Sequence, residues 1–308
     1  MAFRAATVTC MSDVVVVGGG VVGLTSAVVL AEQGREVTVW SAEFEGETTS
    51  AVAGGLVWPY RIAPEEEALE WAVESFPLFA ALAEEPRATG VRLVRGTMVG
   101  GVPPRWAELT GTPPRTPLVD MSVYLPYLRR RLVAAGGAVE RRELATLGEA
   151  AGAAPAVVNC TGMGARRLVP DPQVRPVRGQ LVVVENPGVE EWYADAGGEA
   201  EETTYLLPHP SGLLLGGTAQ DGAWSREPES TTAEWIIRRC AAVRPEVAEA
   251  RVLGHRVGLR PFRPRVRLDA ETMADGRTRC VHNYGHGGAG VTVAWGCARR
   301  VARLVDAA

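Results

Sequence analysis

Four consecutive valines, Val14 to Val17, run into three glycines, Gly18 to Gly20, after which Val21 to Ala31 places apolar residues at helical spacing. That pattern predicts a buried parallel strand, a tight turn and a helix. A second β-rich run, Glu36 to Trp40, follows Gly34 and completes a strand, helix, strand unit of about 30 residues, the size of a βαβ crossover. Val14 to Ala31 carries no charge over 18 residues, the lower edge of a spanning helix. The β-branched run broken by glycines reads as strand and turn instead, and no membrane partner is expected.

Further along, small residues from Thr48 to Gly55 predict a loop, and Pro64 to Ala83 an amphipathic helix opened by Glu65, Glu66 and Glu67, where acids favour a helix start. Val91 to Pro117 is proline-rich and reads as strand and loop. A second helix is expected from Ser122 to Ala135, with Ser122 as N-cap and Gly136 and Gly137 as the stop. Ala156 to Asn159 is another apolar run, and Gly179 to Val184 and Tyr205 to Leu215 read as strands, the latter a hairpin around His209 to Gly212. Thr231 to Val243 reads as a helix, the arginine-laced segment after it alternates like strands, and the chain closes with a strand, a glycine-rich turn and a helix from about Thr292. Nucleotide-type elements therefore occur at both ends and in the middle. The expected fold is α/β, with a discontinuous Rossmann-like domain of residues 12–56, 130–180 and 268–308 and an interleaved antiparallel-sheet substrate domain of 57–129 and 181–267.

Composition narrows the partners. The 308 residues are 46% hydrophobic and 22% charged, ordinary for a globular chain. The 36 acidic and 32 basic residues leave a net charge of −4, and every basic residue is arginine, so no basic excess serves a nucleic-acid phosphate track. Five cysteines without a CxxC pair indicate neither a disulfide framework nor a zinc site. With no apolar signal segment in the first residues, a reducing, cytoplasmic setting is expected, with the protein as a monomer or homodimer.

Two glycine-rich turns carry the chemistry. Gly18, Gly20 and Gly23 form G-x-G-x-x-G between a strand and a helix. There the first glycine makes the turn, the second admits a pyrophosphate and the third packs helix on strand. Backbone N–H groups at the helix start, including those of Val21 and Val22, then face the anion. The acid expected about 20 residues on to hold a ribose is displaced to Glu43, which either binds the ribose or is simply exposed. The second turn lies in His282 to Thr292, HNYGHGGAGVT, and could present several N–H groups to a flavin edge that gains negative charge. His282 and His286 have no third ligand nearby, so no metal is expected.

HNYGHGGAGVTVAWGCA resembles the signature of the D-amino-acid oxidase family of FAD enzymes, which includes D-aspartate oxidase. Further segments match in order: VVVVGGGVVGLTSA, TTSAVAGGLVWPY from Thr48, VVNCTGMGA from Val157, PVRGQ from Pro176, YLLPHPSGLLLGGT from Tyr205 and VGLRPFRPRVRLD from Val257. The resemblance implies FAD as cofactor and a small D-amino acid and dioxygen as reactants. The α-hydrogen would leave as a hydride to the flavin, the imino acid would hydrolyse to a 2-oxo acid and ammonia, and dioxygen would be reduced to hydrogen peroxide. It also implies that Arg260 pairs with the substrate carboxylate, that Tyr205 hydrogen-bonds the same group, and that Gly288 belongs with them at the catalytic centre. Backbone at Gly287, Gly288 and Gly290 would hold the flavin ring, and Val291 and Thr292 its pyrimidine edge. Thr48, Thr49 and Ser50 match positions near the pyrophosphate and ring, with Gly54, Gly55, Leu56, Thr161 and Gly162 as further cofactor-binding positions.

Three departures stand out. Where family members often carry a second active-site tyrosine on a lid, this chain has Glu201, in an acidic run with Glu199 and Glu202; Trp58 replaces a common glutamine; and the end VARLVDAA lacks a peroxisomal tripeptide. D-aspartate oxidases typically place an arginine after the GGT of the second hairpin strand. Here Ala219 follows Gly216, Gly217 and Thr218, which favours neutral D-amino acids, although Arg263 or another nearby arginine could serve an acidic one. D-aspartate oxidase, a glycine/sarcosine-type amine oxidase and a flavin-binding module without turnover are the alternatives.

Overall fold

A computed structural model describes residues 12–59, 62–100, 102–195 and 202–307. In chain order it contains β1 (Val14–Val17), α1 (Val21–Glu32), β2 (Val37–Ser41), α2 (Glu65–Leu82), β3 (Val91–Val99), α3 (Pro104–Thr110), β4 (Arg115–Val119), α4 (Met121–Ala134), β5 (Ala138–Arg141), β6 (Ala156–Asn159) and β7 (Arg175–Val184). There follow β8 (Trp192–Asp195), β9 (Glu202–His209), β10 (Gly212–Thr218), β11 (Gln220–Asp221), α5 (Ser230–Val243), β12 (Val252–Arg267), β13 (Ala270–Thr272), β14 (Arg279–His282), β15 (Tyr284–His286) and α6 (Gly290–Asp306). Among the described residues no helix is long and apolar enough to cross a membrane.

The all-valine β1 is buried on both faces and forms the centre of a sheet ordered β13-β14-β6-β1-β2-β5, parallel except for the β13 edge. Val14 and Val16 join the core beneath a layer of α1, α2, α4 and α6, while Val15 and Val17 pack with Trp40, Leu144 and Leu147 on the other face. Continuous apolar strands are what a doubly covered parallel sheet requires.

The second sheet runs β15-β12-β7-β10-β9-β8-β3-β4, with β11 beside β7. Its pairs are antiparallel except β3 with β8. Period-2 alternation splits its residues: Val182, Val184, Leu206, Leu213 and Leu215 pack under α5, whereas Leu181, Val183, Leu207 and Leu214 join the larger core toward the first sheet.

The α/β class with a parallel nucleotide-type sheet and a second, largely antiparallel sheet agrees with the sequence reading. Local details differ. The expected boundary at residue 130 falls inside α4, which packs on α1, and that at 180 falls inside β7 of the second sheet. The second helix is capped by Asp120, whose carboxylate accepts from Ser122 N at 3.0 Å, so Ser122 is the second helical residue rather than the cap. The helix α3 occupies part of the segment read as strand and loop, with Trp106 turned fully into the core.

Helices α2 and α6 touch through a glycine. A Cβ on Gly296 would lie 2.4 Å from Trp71 O, and Gly296 N donates to Ser75 Oγ at 2.9 Å. Gly296→Ala is therefore expected to push the helices apart and lower unfolding free energy by about 1 to 3 kcal/mol, read from denaturant melts of the cofactor-free protein; an unchanged midpoint would show that the contact gives way freely.

Candidate active site

Residues of both sheets line a cavity of about 500 Å³, within the range of small-molecule sites. Its nucleotide side is built by backbone packed too closely for side chains. Gly18 has φ +116° and a Cβ there would lie 2.4 Å from Cys160 O; a Cβ on Gly23 would lie 1.9 Å from Gly18 O. Helix α1 thus starts directly over β1 and β6. Gly18, Gly20, Val21 and Val22 line the cavity, while Gly23 is set behind them and acts as the helix-to-strand contact.

Not every N–H of this turn faces the cavity's contents. Gly19 N donates to Ser41 Oγ at 2.8 Å and Val21 N to Ser50 Oγ at 2.9 Å, so the Val21 amide expected to meet the anion is capped by the Ser50 hydroxyl. Val22, also on the wall, retains an N–H of the kind a helix start leaves without an internal partner. Glu43 lines the cavity, and its carboxylate lies 3.3 Å from an Nη of Arg226 on the loop after β11. Glu43 is thus on the cavity wall, half-exposed and ion-paired.

The Thr48 to Trp58 segment crosses between the sheets. Thr49 Oγ1 donates to Leu259 O on β12 at 3.2 Å, His209 Nε2 lies 2.9 Å from Gly54 O, and Gly55 O accepts from Val119 N at 2.9 Å. Thr48, Thr49, Ser50, Gly54, Gly55 and Leu56 all line the cavity, as do Thr161 and Gly162 beyond β6. Thr161 Oγ1 donates to Asn159 Oδ1 at 2.7 Å, which fixes that turn.

Gly287, Gly288, Gly290 and Val291 lie on the wall at the start of α6. Thr292 does not reach it. Its hydroxyl accepts from Trp58 N at 3.0 Å and donates to Trp58 O at 2.9 Å, so it ties α6 to the segment carrying Trp58. Trp58 is itself a buried wall residue, with its ring centroid 6.0 Å from that of Trp106 and 5.7 Å from that of Trp192.

Tyr205 and Arg260 stand on the same cavity wall. Tyr205 projects from β9 over Gly216, where a Cβ would lie 1.8 Å from the Tyr205 Cζ atom; the glycine makes room for the ring. Arg260 projects from β12 over Gly179, whose hypothetical Cβ would lie 2.4 Å from an Arg260 Nη, and Nη1 donates to Thr218 O at 2.9 Å. The other wall arginines are engaged elsewhere: Arg142 lies 3.8 Å from the Trp40 ring centroid, Arg167 is 3.3 Å from Glu143 Oε1, and Arg226 pairs with Glu43. Arg263, the candidate alternative cation, is off the wall. Its Nε donates to the buried Asp171 at 2.9 Å, and the same carboxylate accepts from Tyr284 Oη at 2.8 Å. Arg263 and Tyr284 hold the Asp171 carboxyl below its ordinary range against the opposing effect of burial. Glu199 and Glu201, at the lid position, and Tyr60 lie outside the described residues.

His282 is a structural residue, with Nδ1 3.1 Å from Asn159 Nδ2 and Nε2 3.0 Å from Glu271. His286 lies on the cavity wall with Nε2 buried and lacking a hydrogen-bond partner among the described residues, as does Trp40 Nε1. Sequence reasoning missed Arg226 and the orphaned His286 nitrogen. The only sequence signals were an arginine in a polar loop and a histidine inside the second turn, neither specific.

The family profile described as "DAO: FAD dependent oxidoreductase" matches residues 13–112 and 113–304. The chain is 57% identical to the D-amino-acid oxidase of Streptomyces coelicolor (strain ATCC BAA-471 / A3(2) / M145), over 96% of this chain and 97% of that one. It is 36% identical to the D-aspartate oxidase of Homo sapiens, over 95% and 94%. Among solved structures, glycine oxidase from Geobacillus kaustophilus superposes with a TM-score of 0.78 at 21% identity, covering 96% of this chain and 94% of that one; at that identity the likeness is one of fold.

Burial pushes the His286 imidazole down from 6.5 to about 4. A histidine kept neutral in the folded state is protonated first in the unfolded state, so its contribution is complete above about pH 6.5 and is lost as pH falls toward about 4. Cofactor-free wild type should lose about 2 to 3 kcal/mol more than His286→Gln between pH 7 and pH 4.5, measured by urea unfolding at both values; parallel losses would show a solvated ring.

Proposed function

The chain belongs to the DAO family of FAD dependent oxidoreductases, and from that premise we propose that it oxidises neutral D-amino acids to 2-oxo acids, ammonia and hydrogen peroxide. The observation that carries this reading is the presence of Arg260 and Tyr205 on one wall of the cavity that also contains both glycine-rich turns.

The residues present fit FAD. A side-chain-free seat at Gly18, a helix start with a free-facing amide, a carboxylate at Glu43 and the Gly287 to Gly290 turn surround one continuous space. His286 stands on that wall too, with its unpartnered Nε2 buried behind the surface. When bound, FAD accepts the α-hydrogen with its electron pair and passes the electrons on to dioxygen. The protein's own groups then have three tasks.

Arg260 takes the substrate carboxylate. Its planar fork matches two carboxylate oxygens, and the bond to Thr218 O fixes its plane on β12. Tyr205, braced over Gly216, adds a phenolic hydrogen bond to the same group. Together they hold the α-carbon in one orientation, which is where most of the acceleration from positioning arises. No side-chain base is needed, because the α-hydrogen carries away its electrons rather than leaving as a proton. Leu56, Trp58, Met98, Ala194 and Leu207 line the same space and offer apolar area to a substrate side chain at about 25 cal/mol per Å².

Selectivity follows from the cations. Arg263 is held by Asp171, and Ala219, at the position after Thr218, is buried. A second substrate carboxylate would meet no further uncommitted arginine on the cavity wall among the described residues, and burying it unpaired is costly. A cytoplasmic setting and a monomeric or homodimeric state belong to this reading, the former supported by the unpaired, buried state of Cys160, Cys240, Cys280 and Cys297.

Peroxide release from a panel of D-alanine, D-methionine, D-phenylalanine, D-aspartate, glycine, sarcosine and L-amino acids tests the substrate class. Neutral D-amino acids are expected to have the highest kcat/KM; D-aspartate, glycine or sarcosine as best substrate, or no turnover by the yellow protein, would move it to another reading. Arg260→Ala is expected to reduce kcat/KM by about 2 to 5 kcal/mol in transition-state free energy, against about 1.5 to 3 kcal/mol for Tyr205→Phe. Near-normal kcat/KM in FAD-loaded Arg260→Ala would refute the carboxylate assignment.

A further inference from the structure

Arg178 on β7 is 1% exposed, and the carboxylate that reaches it, from Glu229, is 3.7 Å away on a half-exposed side chain. A buried guanidinium is costly unless its donors are used. Here they hold the loop after β11: Nε donates to Ser225 O at 2.9 Å and Nη2 to Glu227 O at 2.6 Å. Gln220 Oε1 at 2.7 Å and Gln180 Oε1 at 3.1 Å take further donors. Gln180 fastens the loop again, donating to Glu229 O at 2.8 Å and accepting from Glu229 N at 2.9 Å. The carbonyls on either side of Arg226 are thus pinned by one buried cation.

What that pinning presents is the Arg226 side chain on the cavity wall, 3.3 Å from Glu43 Oε1. Glu43 is linked to the first glycine turn through Ser41, whose Oγ accepts from Gly19 N at 2.8 Å and donates to Glu43 O at 2.7 Å. With its backbone tied to the turn, Glu43 can turn its carboxylate to ribose hydroxyls, and it shares the cavity wall with the helix start where a diphosphate would bind. Two anionic groups in that arrangement repel unless a cation lies between or beside them.

We infer that Arg226 is a cofactor-binding residue that neutralises Glu43 beside the diphosphate of the dinucleotide, and that Arg178 is the positioning residue that sets it there. This rests on the FAD reading above. It makes the loop after β11, from the substrate-side sheet, part of the nucleotide site on the other sheet.

The test is equilibrium binding to cofactor-free protein, with FAD followed by flavin fluorescence and ADP by calorimetry, for wild type, Arg226→Ala, Arg226→Lys, Glu43→Gln and the Glu43→Gln/Arg226→Ala pair. At low salt, Arg226→Ala should raise Kd for both FAD and ADP about fivefold to tenfold, Arg226→Lys should restore most of the affinity, and the loss should shrink in about 0.5 M salt, where exposed charges are screened. In the Glu43→Gln background the same substitution should cost less than about twofold, because the repulsion it offsets is gone. Arg178→Met should weaken ADP binding in the same direction while Arg226 is intact. If wild type binds FAD and Arg226→Ala binds FAD and ADP equally well, the inference fails; an equal loss in both Glu43 backgrounds would also overturn it. Failure of wild type to bind FAD would instead strike the cofactor reading.

Discussion

The site depends on a partly buried connecting segment that hydrogen bonds tie to both sheets. Thr48 to Trp58 runs between the two sheets, and an unpaired buried amide or carbonyl there would cost as much as a lost hydrogen bond. The partners come from every neighbouring element. Ser50 caps α1 at Val21, Thr49 reaches Leu259 on β12, Gly54 O meets His209 on β9, Gly55 bonds Val119 on β4, and Trp58 is held on both sides by Thr292 on α6. Because those bonds fix the segment against both sheets, they also fix the width of the cavity between them.

Small residues and tryptophans divide the labour on the walls. Where backbone must approach backbone, as at Gly18 over Cys160 and Gly23 under Gly18, a Cβ has no place to go. Elsewhere on the wall Trp58 is braced by Trp106 and Trp192, and such edge and tilted ring contacts make a stiff apolar surface. Tyr205 depends on the first device, since its ring stands in the space that Gly216 leaves open.

The electrostatics rest on arginine alone, because the chain has no lysine. The guanidinium's fixed fork allows one residue to bridge several acceptors, and the fold uses it in that way. Arg178 holds a loop through two carbonyls, Arg263 joins Asp171 and Arg265 O, and Arg260 spends one donor on Thr218 O while remaining on the wall. Which of the many arginines is structural and which faces the cavity is a question of burial and partners, and the five between Arg256 and Arg267 look alike as letters.

That division separates what the chain reveals in one dimension from what it does not. Val14 to Val17 followed by three glycines and a helical spacing determined the central strand, the turn and α1, because local sterics and a short-range hydrophobic pattern are enough to specify them. The same holds for the His209 to Gly212 hairpin, and the order of the family-like segments carried the resemblance and with it Arg260 and Tyr205. Other features depend on residues far apart in sequence. Thr292 turned from the cavity to Trp58, 234 positions away, Ser50 took the Val21 amide, Arg226 met Glu43, and Arg263 was claimed by Asp171. Hydrogen bonds and ion pairs of that kind form only when packing brings their partners within about 3 Å, so tertiary structure alone decided which candidate groups face the cavity and which are consumed in building it.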